Sequence, residues 1–151
     1  MRCGARIGGK GVEAWPRAGY RRGMNQAMAY RVSAAVAFLG VALGAFGAHG
    51  LKDILARHET AAIWQTAVLY HLIHGVVLFA LAQGLPGNFR RGPWWLLLTG
   101  VLIFSGSLYV LAVTGVRVLG AITPLGGVAF LAGWGWLAFA PTPTPKDSPA
   151  R

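Results

Sequence analysis

Four long apolar stretches dominate the chain, separated by short segments that hold nearly all of its charge. A bilayer-spanning helix needs ~20 mostly apolar residues. Four stretches meet that length: about Val32–Ala48, Ala62–Gln83, Trp94–Val116 and Val118–Phe139. None contains a charged residue. A helix that is apolar all round has no solvent face, which suits lipid better than the surface of a soluble bundle. The pattern therefore predicts an all-α integral membrane four-helix bundle. His49–Ala61 holds Lys52, Asp53, Arg57 and Glu59 and reads as a short surface helix. Gly84–Pro93 reads as a turn-rich loop. Arg117 alone separates the last two spans, so they should form a tight hairpin.

Three regions follow. Residues 1–27 read as a disordered basic arm, with Met24 and Met28 standing as alternative start sites. Residues 28–140 form the membrane domain. Residues 141–151, PTPTPKDSPAR, read as a proline-rich disordered tail.

Composition and charge sharpen this picture. The chain has 151 residues, 55% hydrophobic and only 12% charged, with mean hydropathy +0.52. The net charge of +10 sits in the arm and loops rather than on a folded basic face, so nucleic acid is not the expected partner. The lipid bilayer is, with a homo-oligomer or a membrane-protein partner as further expectations. Eleven of the fourteen Lys and Arg fall in the arm, the Gly84–Pro93 loop and the tail. The other side has Lys52, Arg57 and Arg117. The positive-inside rule then puts both termini in the cytoplasm and the protein in the plasma (inner) membrane. A single cysteine, Cys3, excludes an intrachain disulfide and any multi-cysteine metal site.

The polar residues inside the spans are the candidates for chemistry. LYHLIHG, Leu69–Gly75, carries Tyr70, His71 and His74. From Trp64, His74 lies ~15 Å deep, near the bilayer centre. Tyr70 and His74 are four apart and share a helix face. Ser105 is mid-span, and Ser107, Tyr109 and Thr123 lie toward the outer side. His49 marks the outer end of the first span. The inner half shows mainly Thr99 and Gln83. This distribution predicts an outward-biased polar pocket built from His49, Tyr70, His74, Ser105, Tyr109 and Thr123.

HxxH alone is weak support for metal, because no carboxylate or thiolate lies within a span; only His49 could add a third ligand. No metal and no cofactor are expected. There is no Walker loop, dinucleotide fingerprint, Gly-x-Ser-x-Gly elbow or carboxylate pair, so no enzyme is expected either. Small residues at Gly40, Gly44 and Ala48, and at Ala129 and Gly133, suit close helix packing within the chain or between copies. Pro124 predicts a kink or a helix start.

GAFGAHGL (Gly44–Leu51), W-Q-T-A-x-x-Y-x-x-x-H (Trp64–His74), FSGSLY (Phe104–Tyr109) and TPLGGVAFLAGW (Thr123–Trp134) occur in this order. Over about Arg31–Phe139 the chain resembles the YgdD family of small multi-pass inner-membrane proteins. The resemblance implies a multi-pass helical protein and brings no assigned activity or catalytic residue. Its polar positions are His49, Gln65, Tyr70, His74, Ser105, Ser107, Tyr109 and Thr123. His71 departs from the pattern and on that ground reads as incidental. The reading is a non-enzymatic small binding or accessory protein. The alternative is a small oligomeric transporter or channel using His74 as a protonatable site. A haem- or metal-handling enzyme comes third.

Overall fold

The computed structural model describes residues 24–84 and 90–141, with the side chains of residues 24 and 25 left aside. The basic arm, most of the Gly84–Pro93 loop and the proline-rich tail predicted from sequence lie outside the described residues.

Among these residues the structure is helical throughout. The first span is α1, Met24–Ala48. The short surface helix is α2, Lys52–Arg57. The second span is α3, Ala61–Ala82. The third is composite: α4 (Arg91–Gly100), a π-helical turn over Val101–Ser105, and α5 (Gly106–Thr114). The fourth opens with a 3₁₀ segment, Arg117–Ala121, and continues as α6, Thr123–Phe139. Each of the four is long and apolar enough to cross a membrane.

The turns follow local chemistry. Gly115 ends α5 in the left-handed region (φ 72°), where a glycine carries no Cβ penalty. It makes the tight hairpin between the third and fourth spans. Pro124 stands in the first turn of α6, where its missing N–H costs nothing. The predicted break at proline is therefore a helix start.

The helices do not share burial equally. The second and third spans bury 33% and 39% of their most apolar windows, against 22% for each of the other two. They form the central pair; α1 flanks α3 and α6 flanks the third span. Phe38, Val41 and Phe46 on α1 and Val128, Leu131 and Phe139 on α6 are exposed and face where lipid chains would lie. The main core gathers Val36, Leu78, Trp94, Leu97, Val101 and Phe130 from all four spans.

The small residues serve this internal packing. A Cβ at Gly40 would meet Leu72 at 2.8 Å, and one at Gly44 would meet Val68 at 3.2 Å, so this stripe seats α1 on α3. At Gly133 a Cβ would meet Leu97 at 2.8 Å, and at Gly126 it would strike the backbone of Phe104 inside the π turn. That turn carries an extra residue, which pushes the backbone locally outward. Glycine on α6 accommodates it.

Candidate functional site

Tyr70 and His71 are neighbours on α3, and successive helical residues point ~100° apart. That angle divides the polar groups between two interfaces.

On the α1 side, His71 is buried. Its Nε2–H donates to the Val36 carbonyl (2.9 Å), and its Nδ1 accepts from the Tyr109 hydroxyl (3.2 Å). Tyr109 also packs on Trp64, ring centroids 4.7 Å apart, and the Trp64 indole N–H donates to the Leu43 carbonyl at 3.2 Å. His71, set aside on sequence grounds, thus joins α1, α3 and α5. It was missed because a departure from a family pattern says nothing about packing.

On the α6 side, His74 is buried as well. Its Nδ1–H donates to the Tyr70 carbonyl (2.8 Å), and its Nε2 accepts from the Trp134 indole N–H (3.2 Å). The ring stacks on Phe130 with centroids 3.7 Å apart and on Tyr70 at 6.0 Å. Tyr70 in turn lies 4.6 Å from Phe104. These partners set opposite tautomers for the two imidazoles, Nε2–H in His71 and Nδ1–H in His74. Every ring nitrogen is engaged, so metal ligation would break one of these bonds.

The other predicted residues are dispersed. Thr123 pairs with Ser107 (2.9 Å) and holds the start of α6 to α5. Ser105 is fully buried at the end of the π turn, its hydroxyl without a partner among the described residues. His49 is exposed in the turn after α1. Although α1 and α3 do pack together, no group of three or more His, Cys, Asp or Glu stands together among the described residues.

Polar bonds also occupy the end of the bundle where α1 begins and α3 ends, where sequence reading placed little. Gln26 donates to the carbonyls of Ala82 (3.1 Å) and Gly84 (2.7 Å), capping the end of α3. The Trp94 indole donates to Ser33 (3.0 Å), whose hydroxyl donates to Ala29 (2.8 Å). At the opposite end Thr60, buried, donates to the Ala112 carbonyl (2.7 Å). Threonine and serine among alanines gave no sequence signal of these cross-helix bonds.

Two openings among the described residues bear on function. A crevice of about 590 Å³ lies against Gly44, Gly47, Trp64, Val68 and Leu72, along the α1–α3 seam. A groove of about 420 Å³ opens sideways between α3 and α6. Tyr70, His74, Phe104, Phe130 and Trp134 wall it with five rings, and Gly127 keeps it open. A Cβ at Gly127 would have only the Phe104 ring near it, at 4.0 Å. The groove is the candidate site: it is concave, mostly apolar and lined by aromatic rings with few polar groups.

Residues 43–127 match the family model DUF423, described as a protein of unknown function. This chain belongs to the DUF423 family. Relatives agree with that membership. It is 46% identical over 104 residues to the UPF0382 membrane protein YwdK of Bacillus subtilis, covering 65% of this chain and 82% of that one. It is 47% identical over 100 residues to a UPF0382 membrane protein of Staphylococcus epidermidis, covering 65% and 81%. No solved structure matches the chain. The coarser part of the sequence resemblance, a small multi-pass membrane protein of a family without assigned activity, therefore stands for this DUF423 member. The match covers the whole of the second and third spans, so His71, His74 and the π turn all fall within it.

Proposed function

We propose that this DUF423 protein is a non-enzymatic membrane-embedded binding or accessory protein that admits an apolar guest from the bilayer between α3 and α6. The laterally open aromatic groove beside His74 carries this reading. Its walls come from three spans, while the catalytic alternatives lack a carboxylate, a thiolate or a free imidazole nitrogen at the groove. The transporter reading draws less support. Protonating His74 would turn an Nε2–H toward the Trp134 N–H, placing two donors face to face.

The same reading places the protein in the plasma (inner) membrane with both termini cytoplasmic. On this reading Arg31, Arg90 and Arg91 mark the inner side, and Lys52, Arg57 and Arg117 share the outer side with Asp53 and Glu59. It also treats the YgdD resemblance and DUF423 membership as two views of one family.

The test is photolabelling in lipid nanodiscs with a diazirine-bearing alkylbenzene. The reading expects saturable labelling concentrated on Phe104, Leu131 and Trp134, lost in Gly127→Leu, whose side chain fills the groove. Labelling spread evenly over all lipid-facing residues and unaffected by Gly127→Leu would sink it.

A further inference from the structure

The groove has one polar atom with nothing to do. Among the described residues the Tyr70 hydroxyl makes no hydrogen bond, whereas both nitrogens of His74 are engaged. The Tyr70 ring packs on Phe104 and Phe130, with centroids 4.6 and 6.1 Å away. Phe104 lies thirteen residues from one end of its span, Arg91–Thr114, and ten from the other, so this phenol sits near mid-bilayer.

Hydrocarbon offers a hydroxyl no acceptor, and leaving one unmet there is costly. Phospholipid ester carbonyls lie at the interface, ~15 Å from the midplane, too far to serve Tyr70. The missing acceptor must belong to a molecule whose polar group lies deep in the bilayer. The walls add two demands. Five rings, with Phe130 already stacked on His74, favour a flat ring as guest. Val128 and Leu131, both exposed along the groove's edge, lead an apolar tail into the lipid.

Resting on the reading of the groove as a binding site, we infer that its ligand is a lipid-soluble quinone. The ring lies among Tyr70, Phe104, Phe130 and Trp134, one carbonyl accepts the Tyr70 O–H, and the isoprenoid tail leaves past Val128 and Leu131. This is binding only; no electron transfer is involved.

Nanodiscs holding the full chain are titrated with decylubiquinone, reading the saturable part of tryptophan quenching. Dodecylbenzene, with a ring and a tail but no carbonyl, is the competitor. Saturable quenching at about one quinone per chain is expected. Tyr70→Phe keeps the ring and its packing and should weaken decylubiquinone about five- to tenfold, while dodecylbenzene competes as before. Gly127→Leu should abolish both. Equal decylubiquinone affinity in wild type and Tyr70→Phe overturns the quinone assignment. If dodecylbenzene occupies the groove and the quinone binds no tighter, the assignment falls and the groove still binds apolar guests. If neither binds, both readings fall.

Discussion

Gly126→Ala adds one methyl group at the point where α6 rests on the π turn of the third span. The new Cβ would strike the Phe104 backbone nitrogen and lie 2.8 Å from the Phe104 Cα and Cβ. These atoms cannot rotate away. The helices must part by several tenths of an ångström, or the π turn must reorganise. Overpacking of this kind costs ~1–3 kcal/mol. The helix-propensity gain of alanine over glycine, ~1 kcal/mol, offsets part of it. A net loss of up to about 2 kcal/mol follows, ~1 kcal/mol at the middle of the range. Gly127→Ala is the control: its Cβ meets only the Phe104 ring edge at 4.0 Å, an ordinary contact, so it keeps the propensity gain without the clash. Adjacent glycines on one helix should thus respond with opposite sign, separated by roughly 2 kcal/mol. Reversible unfolding in mixed detergent–SDS micelles, followed by far-UV circular dichroism, reads the difference. Equal midpoints for the two variants would refute the packing of α6 on the π turn.

The other expectations are more local. His71→Phe removes a bond to Val36 and strands the half-buried Tyr109 hydroxyl, and should cost ~1–3 kcal/mol in the same assay. Tyr109→Phe removes only one interhelical bond and should cost nearer ~0.6 kcal/mol; a Tyr109→Phe loss equal to that of His71→Phe would contradict the three-helix junction. Gln26→Leu should loosen the C-terminal end of α3 and speed amide exchange at Gly84, since two carbonyls lose a donor; unchanged exchange would count against the cap. In a Cys3→Ser background, single cysteines at Arg57 and Arg90 should be labelled from opposite faces of the membrane, and labelling of both from one face would remove the four-span topology.

Much of this fold was readable because hydrocarbon imposes a length on every apolar run. The four spans, the short helix carrying Asp53 and Arg57, and the hairpin at Gly115 follow from length, charge and turn chemistry. Pro124 marked the start of α6 for the same reason. Close packing at Gly40 and Gly44 was visible, though not its partner; the missing side chains admit Leu72 and Val68 of α3. What sequence did not disclose is which face of each helix turns inward. In a soluble helix a polar stripe marks the outside, but these helices are apolar on all sides, so rotation about the axis leaves no trace. His71 could therefore be passed over although it holds three helices, and Tyr109 could be grouped with His74 although it serves His71. The π turn was equally hidden. FSGSLY contains no residue type that specifies it; the room for it comes from Gly126, twenty-two positions from Phe104.

Ser105 and Tyr70 illustrate two kinds of unused hydroxyl. Ser105 is enclosed by protein at the π turn, while Tyr70 faces a groove that opens to lipid. Only the second offers a guest a way in. This distinction, rather than the presence of histidine, is why the proposed binding site is put on the α3–α6 side.

Native mass spectrometry of the full chain, released gently from its own membrane in lipid nanodiscs, tests the central claim most directly. The groove predicts a bound apolar molecule at about one per chain on the wild-type protein, absent from Gly127→Leu and retained in Gly127→Ala. A wild type and a Gly127→Leu variant carrying the same adducts, or none, would contradict it.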